Sequence, residues 1–135
     1  MNKVNYKVDI VVAGIGTGGT AFGLKEYLEN KIVYGVEPYE SPLFTKGKAG
    51  AHKIQGIGAN FIPELCKDRN LDGIICIKGE DAIEEAKNAA KEKGLFIGIS
   101  GGANLAAAKE LSIKHPGKLI VAIIPDGGER YLSVW

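Results

Sequence analysis

The sequence predicts an α/β fold, a parallel sheet with flanking helices, and two observations support that class. Short apolar runs alternate along the chain with segments whose apolar residues recur at helical spacing. The first unit is strand, glycine turn, helix, strand, and a βαβ unit of this kind implies a parallel sheet with helices on its faces. At 135 residues and 45% hydrophobic content, residues 1–135 are predicted to form a single domain.

The predicted βαβ unit occupies the first part of the chain. Residues 8–13 form a run that is apolar apart from Asp9 and is followed by glycines, and residues 21–28 place apolar side chains at helical spacing. A second apolar run, residues 32–36, ends before Pro38, which lacks a backbone donor. Residues 39–63 carry six glycines or prolines and are predicted to be a long irregular loop, a kind of segment that is often functional.

The same alternation continues to the C-terminal end. Residues 73–77 are predicted to be a buried strand, and residues 81–93 an amphipathic helix. A short extended segment at residues 95–97 leads into an Ala-rich helix at residues 100–111. Residues 119–124 form the most apolar strand of the chain, so the second part extends the same sheet.

Composition excludes several classes of function. The chain has 17 Lys and Arg against 16 Asp and Glu and no block of like charges, so no nucleic-acid partner is predicted. Without a signal-peptide pattern or a run of about 20 apolar residues, the predicted location is cytoplasmic, with no membrane partner. The sequence has two cysteines, Cys66 and Cys76, and two histidines, His52 and His115. This set predicts neither a metal site nor a disulfide framework. Both cysteines are predicted to pack as small apolar side chains.

The glycine turn at residues 14–20 is the first candidate binding site. It lies between a predicted strand and a predicted helix, where backbone N–H groups and the positive helix end favour an anion. Thr17 and Thr20 add hydroxyl donors. The stretch also satisfies the pattern G-x-G-x-x-G, and Glu37 ends the next strand about 20 residues later, as in dinucleotide sites. The turn alone therefore leaves open a single phosphate or NAD.

Two further segments are candidates. Ser100 opens the third predicted helix, two residues after Gly98, and the pattern predicts it as the N-cap. In a doubly wound sheet the strand ends line one crevice, so Ser100 is also expected to face the same ligand as Thr17. From there its hydroxyl could hydrogen-bond a ring nitrogen. Gln55 and Gly56 lie in the long loop, where two glycines flanking an isoleucine indicate backbone that moves or approaches a ligand. A plain helix cap and an ordinary surface loop stay open as alternatives.

Together these segments resemble one family, cysteine synthase (O-acetylserine sulfhydrylase). The similarity keeps this order along essentially the whole chain, and it favours a single phosphate over NAD. The segments are GTGGT at residues 16–20, VEP at 36–38, HKIQGIG at 52–58, FIP at 61–63, GIS at 98–100, PD at 125–126 and GERYLS at 128–133.

The resemblance implies a fold-type II pyridoxal 5'-phosphate (PLP) enzyme with a tryptophan-synthase-β-like fold, of which this chain is the C-terminal, phosphate-binding part. In that family the first glycine-threonine loop holds the cofactor phosphate, and the serine opening the later helix bonds the pyridine nitrogen. The roles fall on Gly16, Thr17, Gly18, Gly19 and Thr20 for the phosphate, on Ser100 for the ring, and on Gln55 and Gly56 for the substrate side.

The implied reaction converts O-acetylserine and sulfide to cysteine and acetate in a homodimer that also accepts a serine acetyltransferase tail. Gly101 and Gly127 stand where the family commonly has serine. The lysine that binds the cofactor covalently, and the family's asparagine-containing substrate loop, lie upstream of the matched segments. No catalytic residue is therefore assigned, and the chain is predicted to be inactive alone, with an exposed sheet edge.

Three alternatives remain at this point. A cystathionine β-synthase-like fragment would share the cofactor site, although the loop containing Gln55 looks more like the sulfhydrylase. A non-catalytic module would keep the fold in order to bind a partner. An NAD-binding Rossmann domain would use the first glycine turn for a dinucleotide.

Overall fold

The structure, a computed structural model, describes residues 8–15, 19–28, 31–54, 57 and 71–125, and it describes residues 19, 20 and 22 by their backbone only. Within these residues, four strands form one parallel sheet in the order β3-β2-β1-β4, which confirms the predicted fold class. The elements are β1 Ile10–Gly14, α1 Gly19–Tyr27, β2 Ile32–Pro38, α2 Leu43–Lys46, β3 Gly73–Ile77, α3 Gly79–Lys93, α4 Ile99–Lys114 and β4 Ile120–Ala122.

Strand β1 is one of the two inner strands of the described sheet. Its pairing with β2 runs from Ile10 opposite Ile32 to Gly14 opposite Val36, and its other edge pairs with β4. Val12 and Ala13, which point to opposite faces, are both fully buried. A strand buried on both faces needs a continuous apolar run rather than an alternating one, which is the pattern of residues 10–13.

Helices cover both faces of the sheet. On one face, α4 presents a buried stripe at every fourth position to a core that includes Ile10 and Val12 of β1. On the other face, α1 places Ala21 and Leu24 against Ala13 and Ile15. The stripe of α4 consists of Ile99, Ala103, Ala107 and Leu111.

Helices α3 and α4 pack closely because a glycine lies between them. A Cβ added at Gly102, in the first turn of α4, would collide with the carbonyl oxygen of Ala82 and lie 3.0 Å from the Ala86 nitrogen. The first turns of the two helices are therefore side by side, and the helices run in the same direction. Further along, Lys109 Nζ lies 2.7 Å from Glu85 Oε2, an ion pair in which the lysine is exposed and the glutamate is half-buried.

Two local predictions are wrong. The long loop is not wholly irregular, because it contains the one-turn helix α2, whose backbone N–H groups at Phe44 and Thr45 donate to the Glu37 carboxylate. The extended segment at residues 95–97 is reduced to a single bridge at Ile97. The remaining boundaries agree with the predicted ones to within three residues, and most of them to within one.

The outer edge of the sheet at β4 has β1 as its one neighbour among the described strands. Apolar side chains along and beside β4 are between 37% and 40% exposed, namely Leu119, Val121 and Ile124. No helix in the described ranges combines the length and the apolar character needed to cross a membrane.

We expect Gly102→Ala to lower the free energy of unfolding by about 1–3 kcal/mol, because the added methyl group forces α3 and α4 apart. Gly23→Ala is the matched control, since Gly23 is an exposed helical glycine with nothing within 4 Å of an added Cβ. That variant should be neutral or up to about 1 kcal/mol more stable. Urea unfolding measures both, and an equal response of the two variants would contradict the packing described.

Candidate functional site

The sheet has one topological switch point, between β1 and β4 in the described order. The chain runs from β1 to β2 to β3 on one side and then crosses to β4 on the other. In open α/β sheets, ligands bind outside the carboxyl ends of the strands at such a point. Helix α1 follows the carboxyl end of β1, and the first turns of α4 lie beside the same end. The candidate site is therefore the crevice between β1 and β4.

The glycine turn at residues 14–20 lies between β1 and α1 in the chain. Gly16, Thr17 and Gly18 lie outside the described residues, whereas Gly19 and Thr20 begin α1. The strand before these residues and the helix after them are the ones predicted from the sequence. No acidic residue lies in the first turn of α1, so this helix end keeps its attraction for an anion.

Ser100 is the second residue of α4 and is only 2% exposed. The prediction that it is the N-cap is wrong, because Gly98 takes that position and its carbonyl accepts the Gly102 N–H at 3.0 Å. Glycine supplies no side-chain cap, and none is present. Ser100 therefore lies inside the first turn of α4, where its hydroxyl is not needed to cap the helix.

The loop segment around Gln55 and Gly56 also reaches this edge of the sheet. Gln55 and Gly56 lie outside the described residues, but their neighbours Ile54 and Ile57 are buried in the core that α4 covers. His52 Nδ1 accepts the N–H of Ile54 at 3.2 Å. Two buried isoleucines therefore fix the backbone on both sides of the predicted substrate-side residues.

Three residues meet at the floor of the crevice. A Cβ added to Gly14 would lie 2.5 Å from Ile57 Cγ2 and 3.5 Å from Asn104 Oδ1. Asn104 is 1% exposed, and its Nδ2 donates to the Ile123 carbonyl at 2.7 Å. Its Oδ1 is buried and has no hydrogen-bond partner in the described part of the chain. Sequence reasoning missed Asn104, although a polar residue four positions after Ser100 on an apolar helix was a usable signal.

The carboxylate of Glu37 is not available to bind a ribose hydroxyl, because groups of this chain already bond to it. The side chain is 1% exposed, and its carboxylate accepts the N–H groups of Phe44 and Thr45 at 2.9 and 3.0 Å. The Thr45 hydroxyl donates to it as well, at 2.7 Å. Because these donors hold the carboxylate at the start of α2, the acidic residue that a dinucleotide site requires is already engaged.

Cys76 lies beside the same carboxylate. Burial raises the pKa of its thiol, and the negative charge of Glu37 raises it further, against a lowering contribution from the Thr45 hydroxyl 3.5 Å away. A protonated, half-buried thiol agrees with the predicted packing role. Cys66 lies outside the described residues, and no group of three metal-binding side chains occurs within them.

The start of α3, at the neighbouring carboxyl end of β3, already faces carboxylates. The Gly79 N–H lies 3.2 Å from both carboxylate oxygens of Glu40, and Glu80 and Asp81 follow in the first turn. In contrast, the first turns of α1 and α4 contain no acidic residue. The electrostatics of this edge therefore direct an anion to the crevice between β1 and β4 rather than to α3.

Comparisons with known proteins agree with this arrangement. A sequence model of the family described as "pyridoxal-phosphate dependent enzyme" matches residues 1–126. Cysteine synthase B of Campylobacter jejuni is 51% identical over 137 residues, covering 98% of this chain and 46% of the relative. The crystal structure of cysteine synthase from Entamoeba histolytica superposes with a TM-score of 0.86 at 43% identity, covering 93% of this chain and 39% of that one.

An O-acetylserine-dependent cystathionine β-synthase from Helicobacter pylori also superposes, with a TM-score of 0.84 at 38% identity, over 93% of this chain and 42% of that one. The chain spans about half the length of the curated relatives it matches. The similarity therefore covers nearly all of this chain but less than half of each enzyme.

We expect Gly14→Ala to lower the free energy of unfolding by about 1–3 kcal/mol, because its methyl group displaces Ile57 from the crevice floor. Ile57→Ala removes the colliding atoms, so the double variant should be more stable than the sum of the two single changes predicts. Urea unfolding of the four proteins gives the coupling energy. Additive effects would show that the two residues do not meet.

Proposed function

Because this chain belongs to the family of pyridoxal-phosphate dependent enzymes, we propose that it is the C-terminal, phosphate-binding part of a cysteine synthase. The supporting observation is the pair of helix starts at the switch point, α1 and α4, neither of which carries an acidic residue in its first turn. Four curated relatives that match the chain are cysteine synthases at 43% to 51% identity.

The described residues fit the cofactor. The crevice floor has a buried acceptor, Asn104 Oδ1, that has no partner within the described residues, and it lies beside Gly14, against which Ile57 packs. The start of α1 suits a phosphate. We assign the phosphate to Gly16, Thr17, Gly18, Gly19 and Thr20, the pyridine nitrogen to Ser100, and the substrate side to Gln55 and Gly56.

The bound cofactor supplies the electron sink for replacing the acetate of O-acetylserine by sulfide. The residues of this chain bind and orient it. The helix-end effect at α1 contributes only about 0.3–1 kcal/mol, so several N–H groups and the hydroxyls of Thr17 and Thr20 are needed to hold a phosphate. Ser100 offers the ring a neutral hydroxyl, which, unlike a carboxylate, leaves the ring nitrogen unprotonated.

The acceptor substrate distinguishes two versions of this proposal. The Helicobacter pylori structure is named as a cystathionine β-synthase that depends on O-acetylserine. A similar protein therefore uses O-acetylserine to make a product other than cysteine. Sulfide is the favoured acceptor because the cysteine synthases are the relatives of higher identity. A homodimer and a serine acetyltransferase tail are proposed partners of the whole enzyme.

We expect the chain to bind pyridoxamine 5'-phosphate at least tenfold more tightly than pyridoxamine, because the phosphate carries the interaction. The amine form cannot attach covalently to exposed lysines, and its fluorescence reports binding. Ser100→Ala should weaken binding about fivefold, as for one hydrogen bond of about 1 kcal/mol. The control Ser112→Ala, at an exposed position of the same helix, should not change it. Equal affinity for the two compounds would reject the phosphate site.

We expect the chain on its own to form no cysteine from O-acetylserine, sulfide and added cofactor. None of its lysines lies in the context that the family uses to bind the cofactor and remove the substrate proton, and a general base alone contributes roughly 10²–10⁴-fold. A colorimetric cysteine assay beside an intact cysteine synthase measures this. Turnover within tenfold of the intact enzyme would overturn the assignment of the base to a segment outside this chain.

A further inference from the structure

The pairing between β1 and β4 stops before β1 does. Registered pairs join Ile10 to Ile120 and Val12 to Ala122, and the β1–β4 pairing ends there. On the other edge, the β1–β2 pairing continues to Gly14 opposite Val36. The sheet therefore opens on one side of β1 over its last two residues, at the switch point.

At this opening, the backbone groups of β1 and of the residue after β4 point towards each other, as further pairing would require. The Ile15 N–H donates to the Val36 carbonyl on the β2 side, so the Gly14 N–H points to the β4 side by the alternation of a strand. The Ile123 N–H donates to the Val12 carbonyl at 2.9 Å, as the next step of a parallel ladder requires. The step after that would join the Gly14 N–H to the Ile123 carbonyl.

The side chain of Asn104 lies where the hydrogen bond from the Gly14 N–H to the Ile123 carbonyl would form. Its Nδ2 donates to the Ile123 carbonyl at 2.7 Å, and its Oδ1 lies beside Gly14. The side chain is 1% exposed, and Oδ1 has no partner among the described residues. Leaving a buried acceptor unpaired is unfavourable, so an interaction that supplies a donor to this atom is favoured.

We propose that Asn104 is a positioning residue of the cofactor crevice: Nδ2 holds the carboxyl end of β4 away from β1, and Oδ1 accepts a hydrogen bond from a donor in the occupied site. The inference rests on the proposed function for the identity of the occupant. Asn104 lies one helical turn after Ser100 on the same face of α4, so it forms the floor below the residue assigned to the ring.

The spacing role is tested without any ligand. Asn104→Ala frees the Ile123 carbonyl, and the Gly14 N–H is then expected to bond it, slowing amide hydrogen exchange at Gly14 about tenfold or more by NMR. The amide of Val12, which lies within the existing pairing, is the internal control. If this variant fails to fold, Asn104→Ser replaces it, because a helical serine bonds its own helix rather than Ile123. Unchanged exchange at Gly14 would overturn the spacing role.

The acceptor role is tested with pyridoxamine 5'-phosphate as the probe. Asn104→Leu conserves volume and removes the acceptor, and its Kd is expected to rise about tenfold while the urea midpoint stays near that of the unchanged chain. Asn88→Leu, the same change at a partly buried position of α3, is the matched control and should bind normally. A Kd for Asn104→Leu within twofold of the control would overturn the acceptor role, since a purely structural residue changes the midpoint and not the affinity.

The two tests also separate this inference from the proposed function. If the unchanged chain does not bind pyridoxamine 5'-phosphate, the phosphate site fails, whereas slower exchange at Gly14 in Asn104→Ala would still support the spacing of β1 and β4 by Asn104. If the unchanged chain binds and both Asn104 variants match their controls, the proposed function survives and the inference is rejected.

Discussion

Strand β1 is hydrogen-bonded along both edges and buried on both faces, and the rest of the structure is arranged around it. Its apolar run demands a helix layer on each side, which α1 and α4 provide. Its carboxyl end, at Gly14, is where the chain must leave the sheet through a glycine turn. Since β2 and β4 lie on opposite edges of β1, the crevice between their connections forms at that same end. The candidate site therefore lies where it does because β1 stands between β2 and β4.

Carboxylates divide the carboxyl edge of the sheet into two regions. On the β2–β3 side, Glu37 holds the start of α2 and Glu40 holds the start of α3. Both carboxylates accept backbone N–H groups, so these helix starts have no further need of an anion. On the β1–β4 side, the first turns of α1 and α4 have no such residue. Among the described helices, two starts are thus neutralised by carboxylates of this chain, and the other two lie at the candidate site.

Much of this arrangement could be predicted from the sequence. The apolar runs became the four strands β1 to β4, and the amphipathic and Ala-rich segments became α3 and α4, because burial and period are local properties of the chain. Helix α2 was missed because four residues are too few to show a helical spacing of apolar side chains. Its start is stabilised by the side chain of Glu37 in the preceding strand. The N-cap was misplaced because a glycine can also begin a helix, through its backbone alone.

The strand order and the role of Asn104 had no local signal strong enough to reveal them. Which edge of β1 receives β4 depends on packing between elements far apart in the chain. Asn104 lies in an alanine-rich helix, and its importance follows only from its distance to Gly14 and Ile123.

The order of the strands also constrains how the chain acquires its structure during synthesis. Contacts between β1 and β4 span the chain, as in the hydrogen bond from the Leu119 N–H to Asp9 Oδ2 across 110 positions. Among the described strands, β1 comes first in the chain and β4 comes last, so one edge of β1 is completed only after the segment between them has been synthesised. An unpaired strand edge can pair with another chain, so this delay exposes β1 to association between nascent chains. Pairing over such a long separation in the chain also slows folding.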